Sequence, residues 1–250
     1  TRSVGVTGVQ TCALPILSSE LQQYMTGLTN EISRGHFDKA VYLGEKALMM
    51  EELRGPGNES LLGEVYRNMA AASDRLGRND AALEYIDRAY DIHDAAANRS
   101  RGTETLRERS ATASYVGVFA LKAYLLADGQ DEEMADKARL MTRQAERDMA
   151  EVNEFSKGVK VDQYEINMTS RWSMVESLVG EKQQGLELAW RAIRLAPQSE
   201  RDQRKGLTGR DVLRARTRAV LRGMAAVAVN AASRFSVTLG IAEKIALKTL

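Results

Sequence analysis

Arg210, Arg214 and Arg218 recur four residues apart and Arg222 continues the row. On a helix their guanidiniums would share one face and could meet a line of phosphates or carboxylates. Between Glu200 and Arg222 eight basic residues stand against three acidic ones, a local excess of five positive charges. No aromatic residue interleaves the run to stack on bases, and no lysine-rich tail extends it. Nucleic acid is therefore the weaker reading of this face, and solvent or an acidic protein surface the stronger. The imidazoles are His36 and His93, and no carboxylate or thiol is spaced to join them in a relay or a metal set. No Gly-x-Ser-x-Gly elbow and no glycine-rich phosphate loop occurs. The expectation is a chain that is not an enzyme, with no catalytic residue, no metal site and no cofactor.

Composition narrows the class further. The chain has 250 residues, 35 Lys+Arg against 34 Asp+Glu, and 44% hydrophobic residues. A formal charge of +1 exerts no general pull on nucleic acid or on an anionic membrane. Cys12 is the sole cysteine, so no intrachain disulfide can form. The most apolar run, Met224 to Ala232, contains Asn230 and reaches only about half the length of a membrane span. No membrane partner is expected.

These side chains must be positioned by helices. From Leu17 onward proline stands only at positions 56 and 197, and apolar residues recur at intervals of three and four, as in Leu83, Ile86, Ala89 and Tyr90. No stretch shows the alternation a strand needs. The fold class is all-α.

The chain also repeats itself. Gly35 and Gly77, Ala40 and Ala82, and Ala47 and Ala89 are each 42 residues apart. A glycine before a short polar turn ends one helix in the left-handed conformation. Small residues early in the next helix, and again two turns on, let antiparallel helices approach closely. Such a hairpin buries its apolar face only by stacking on neighbours.

Tyr66, Met69, Ala70, Gly77, Ala82, Ile86 and Ala89 match the signature positions of a tetratricopeptide repeat, and Tyr24, Leu28, Gly35, Ala40 and Ala47 match those of a preceding unit. Gly27 and Leu28 stand in swapped order. The chain thus resembles tetratricopeptide repeat proteins, in the longer form of kinesin light chains and related bacterial repeats; Gly55-Pro56-Gly57-Asn58 resembles the extra turn and Asn68-Met69-Ala70 the Asn-Leu-Ala triplet of that form. A third unit is expected around Tyr115 to Val152, with Ala138 and Ala145 seven apart and a longer turn at Ala127 to Glu133. A fourth is expected around Trp172, Gly180, Ala189 and Ala192, where Gly185 replaces the usual alanine and should loosen that contact. The resemblance implies a right-handed superhelical solenoid of antiparallel helix pairs, about ten helices in all.

It also implies a binding role. The groove of such a superhelix holds a peptide or protein segment, and the triplet's Asn often faces it, offering a donor and an acceptor to a ligand backbone. The residues so implied are Asn68, with Arg67, Arg75 and, in the fourth unit, Arg171 nearby by register. The alternative for Asn68 is a bond to a neighbouring helix. Chaperone-binding members hold a C-terminal carboxylate with Lys and Asn at positions occupied here by Met25 and Thr29, so chaperone tails are not expected as ligands.

Val6 to Ile16 resembles the conceptual translation of a sequencing-library adapter, codon by codon over eleven residues, so residues 1–16 are read as artefact. Without them 34 basic residues balance 34 acidic ones and no cysteine remains. The remaining organisation expected is a repeat domain at 17–197, a linker at 198–209 and a C-terminal helix pair at 210–250, either a cap or a degenerate repeat. With no cysteine and no export signal, the cytoplasm is the expected location. Two functions follow: a non-catalytic scaffold or adaptor, or the ligand-sensing part of a transcriptional or signalling regulator whose output domain lies upstream. A nucleic-acid contact through the basic C-terminal helix is a further alternative.

Overall fold

The computed structural model describes residues 18–55, 57–155, 163–203, 221, 224–232 and 239–249. Among them ten α-helices and one 3-10 turn occur and no strand. The helices are α1 (Ser19–Arg34), α2 (Phe37–Met49), α3 (Glu59–Arg75), α4 (Asn79–Arg99), α5 (Thr103–Leu126), α6 (Glu132–Phe155), α7 (Gln163–Val179), α8 (Lys182–Gln203), α9 (residues 224–232) and α10 (Leu239–Thr249). The 3-10 turn, Glu51–Arg54, follows α2.

The local signals act where the repeat places them. Ser18 caps α1 by accepting from the Leu21 amide at 3.3 Å. Gly35 ends α1 at φ 80° and Gly77 follows α3 at φ 73°. In both turns the next amide reaches back to the same depth in the helix, His36 N to Glu31 O at 2.9 Å and Arg78 N to Ser73 O at 2.9 Å. That wrap-around bond needs a left-handed residue, which glycine supplies without a Cβ clash. The longer turn after α5 is made by Asp128 at φ 52° and Gly129 at φ 72°. Gly180 keeps a negative φ and is required for a different reason: a Cβ there would fall on the Glu176 carboxylate, which folds back to accept from the Glu181 amide at 2.8 Å.

Each of α1 to α7 packs against the helix that follows it, and α3 and α7 also reach the helix two places before them. The seven-residue alanine pairs lie in these seams: Ala40, Ala47, Ala82, Ala89, Ala138 and Ala145 are all buried. Leu21, Leu28, Val65 and Met69 close around the first pair. Ala70 and Ile86 meet Val116 and Phe119 around the second. Each large side chain so covered contributes about 2 kcal/mol of transfer energy.

Two expectations are revised by packing. Gly185 does not loosen its contact. A Cβ there would lie 2.8 Å from the Ser177 backbone nitrogen and 3.1 Å from the Ser173 carbonyl, so α8 approaches α7 more closely than an alanine would permit. Ser173 Oγ donates across this seam to the Gly185 carbonyl at 2.5 Å. The third unit is also longer than its recognisable core, since α5 begins at Thr103 and α6 runs to Phe155.

α8 continues through Pro197 to Gln203, past the point where a linker was expected to start. α9 and α10 are not set apart. Ala226, Val229, Ala242 and Ala246 share one apolar cluster with Leu121, Met174 and Val175. Asn230, buried in the apolar α9, donates to Ser177 Oγ at 2.8 Å and to the Lys182 carbonyl at 2.6 Å. The row Arg210, Arg214, Arg218 and Arg222, and residues 1–16, lie outside the described residues. No described helix is long and apolar enough to cross a membrane.

Candidate functional site

Asn68 sits on α3, and its side chain lines an open cleft of about 180 Å³ between α1 and α3. Met25, Thr26, Leu28 and Thr29 come from α1, and Glu64, Val65 and Asn68 from α3. Leu28 and Val65, each 1% exposed, supply apolar walls. Glu64 and Asn68 are one helical turn apart, so they stand on one face about 6 Å apart along the axis. Thr29 spends its hydroxyl proton within α1, on the Met25 carbonyl at 3.2 Å.

The amide of Asn68 makes no hydrogen bond to another described residue, and Glu64 makes neither a hydrogen bond nor an ion pair with one. This bears on the alternative in which Asn68 only ties α3 to a neighbour: no such tie is formed among the described residues. Both groups remain partly buried with their bonding capacity unspent. A half-buried primary amide offers two donors and an acceptor, the complement of a peptide unit.

The other three residues implied by register are placed apart from the cleft. Arg67, next to Asn68, turns about 100° away around α3, and its charge is felt at His93 on α4. Arg75 returns to the face of Asn68 but about 10 Å farther along, and is exposed. Arg171 packs over the Tyr115 ring, its guanidinium carbon 3.9 Å from the centroid. That contact joins α7 to α5 and is a cation–π pair. Of the four, Asn68 alone lines the cleft. Glu64 was not singled out by motif, yet its spacing of four from Asn68 carried the signal.

Larger hollows lie elsewhere, and most of their charged side chains are engaged by neighbours. One of about 540 Å³ on α6 and α8 is lined by Glu146, Glu181, Gln184, Glu187, Arg191 and Arg194 among others. In it Gln184 donates to Glu146 and Arg191 bonds Glu165 at 3.0 Å. Another, of about 610 Å³ along α6, is lined by Lys137, Arg139, Leu140 and Arg143 with two acids. There Lys137 pairs with Asp87, Arg139 with Asp136, and Arg143 approaches Glu176 and Glu181.

The histidines are tied into the structure separately. His36 Nδ1 lies 2.8 Å from Glu31 Oε2, and that hydrogen bond, with the Lys39 ammonium, holds the Glu31 carboxyl below its ordinary range. His93 is buried between α3 and α5. Thr112 Oγ1 gives its proton to the Glu108 carbonyl at 2.9 Å, which leaves the oxygen to accept from His93 Nδ1–H at 2.8 Å. Nε2 then faces Gly63, whose hydrogen is the only side chain the ring leaves room for, and it has no hydrogen-bond partner. Burial pushes the His93 pKa down and the Arg67 charge assists, while Glu108 and the carbonyls of Glu108 and Ser60 pull it up. Among the described residues no three potential metal ligands converge.

No protein-family model matches the chain, and no curated protein matches it. What the coordinates define is an all-helical protein of neighbouring packed helices. Its open interhelical cleft carries an amide and a carboxylate that nothing described engages.

Proposed function

We propose that this chain is a tetratricopeptide-like helical repeat protein, stacked as a right-handed superhelix, that binds a polypeptide segment without performing catalysis. Three features support the repeat reading. The glycines 42 residues apart adopt the same left-handed turn, the paired alanines are buried in seams, and contacts run mainly between helices adjacent in the chain. The observation that carries the binding role is Asn68, half-buried in a cleft with no partner for its amide among the described residues. The Asn68 amide lines an open cleft and is not spent on any described residue, so its two donors and its acceptor are available to a ligand backbone. Arg75, exposed on the same helix face, extends the surface toward the end of α3.

The test is selection of a displayed random-peptide library on the full chain, followed by calorimetry with the enriched peptides. Wild type should bind them, and Asn68→Ala should weaken binding roughly tenfold, the worth of a lost hydrogen bond at a half-buried site. Adding Arg75→Ala should weaken it further. A library yielding no peptide whose binding depends on Asn68 removes the reading.

A further inference from the structure

The cleft beside Asn68 is suited to more than a peptide backbone. It is about 180 Å³, and a cavity of roughly 150 Å³ accepts one benzene-sized group, so its capacity is a single side chain. Met25, Leu28 and Val65 give it apolar surface beside Thr26 and Thr29, and Glu64 is the one charged residue lining it. No cation lines it among the described residues. The cations of α1 and the start of α2 are engaged elsewhere, since Arg34 and Lys39 both pair with Glu31. Arg67 forms no ion pair with Glu64, and its charge is felt at His93.

A cleft with apolar side chains and one carboxylate that no described residue pairs matches an amphipathic cation. A lysine or arginine side chain buries its methylene stem along apolar surface and keeps its charged head at a polar rim. A carboxylate-bearing side chain would meet Glu64 as a like charge. A purely aliphatic one would fill the walls and leave Glu64 facing apolar atoms. We infer that the α1–α3 cleft is a specificity pocket for a basic side chain, lysine or arginine, of the bound peptide, with Glu64 as its counter-charge and Asn68 holding the adjoining backbone.

This inference rests on the peptide-binding reading and is tested so that the two separate. From the library selection, one enriched peptide is synthesised with both ends blocked and with lysine, norleucine or glutamate at its preferred basic position. On wild type the lysine form should bind roughly fivefold tighter than norleucine, the scale of a partly exposed ion pair, and glutamate weaker still. Glu64→Gln should erase the lysine preference, weakening the lysine peptide and relieving the norleucine peptide of an apolar contact with a charge. Glu64→Arg should shift the preference to glutamate. Asn68→Ala should weaken all three peptides alike. Raising salt should narrow the lysine advantage on wild type and leave Glu64→Gln unaffected. Enriched peptides that depend on Asn68 but carry no basic position would overturn the pocket and leave the binding role standing. A lysine preference that survives in Glu64→Gln and Glu64→Arg, both folded by circular dichroism, would also overturn it. A library with no Asn68-dependent peptide overturns both.

Discussion

Arg109 on α5 grips Asp148 on α6 with two parallel bonds, Nε to Oδ2 at 2.8 Å and Nη2 to Oδ1 at 2.7 Å. Both side chains are nearly covered, at 8% and 2% exposure. The guanidinium also reaches Asp94 and Asn98 on α4, and Gln144 donates to the same carboxylate. One cation thus binds three successive helices where the second hairpin meets the third. The carboxylates around Arg109, Asp148 first, raise its pKa above the ordinary arginine value.

Removing one partner of this pair should expose the cost of burying the other. Arg109→Met strands Asp148, and a change of about 3–5 kcal/mol is expected in chemical denaturation. The double change Arg109→Met with Asp148→Leu should recover much of that loss. Single variants that unfold within about 1 kcal/mol of wild type would show that water reaches the pair.

Gly185→Ala separates helix propensity from packing. In a helix interior the substitution should stabilise by roughly 0.5–1 kcal/mol if nothing intervened. Here the new methyl meets the Ser177 backbone nitrogen, which cannot swing aside as a side-chain end can. A net loss of about 1–3 kcal/mol is expected from thermal melts. A raised melting temperature would mean that α7 and α8 part at little cost.

His93 makes stability depend on mild acid. Its pKa is lower in the folded chain than in the unfolded one, so below the unfolded value of 6.5 the unfolded state takes up a proton that the native state refuses. Stability is complete above that pH and falls as pH drops through it toward the folded pKa. His93→Gln should abolish this part of the pH dependence between about pH 7 and 5, leaving the carboxylate-driven losses at lower pH. Glu31 belongs to those losses. Its lowered pKa contributes stability that is present above 4.5 and disappears as pH falls through the folded value. Identical slopes for wild type and His93→Gln would place the imidazole in contact with solvent.

Asn68→Ala should leave stability within about 0.5 kcal/mol of wild type, because the amide bonds no described residue. Asn230→Ala is the contrast. It deletes two bonds in a covered seam and should cost about 1–3 kcal/mol. If the two variants melt alike, Asn68 is serving the fold.

The helical class, the glycine turns at Gly35 and Gly77 and the buried alanine seams are readable along the chain, whereas the run of α8 through Pro197 and the full length of α5 and α6 are not. Gly35 and Gly77 act through backbone bonds to residues four or five positions away, and Ala40 with Ala47 or Ala82 with Ala89 lie on one face of one helix. Such interactions follow from 3.6-residue periodicity alone. Gly185 was misread for the same reason: as a missing alanine it suggests looseness, whereas the close approach of the Ser177 backbone comes from another helix. The site was half legible. The triplet resemblance pointed to Asn68, but Arg171 rests on Tyr115 and Arg67 does not line the cleft.

By itself the sequence determined that the chain is helical, that Gly35 and Gly77 turn it between helices and which small residues must be covered, because each of these depends on neighbours within a turn or two. Only the tertiary structure decided which polar groups are spent and which remain. Arg109 is consumed by Asp148 and Asp94, and His93 Nδ1 by Thr112, while Asn68 and Glu64 are left open beside α1. Partnering is a matter of which side chains distant helices bring within about 3 Å, and no periodicity along one helix encodes that.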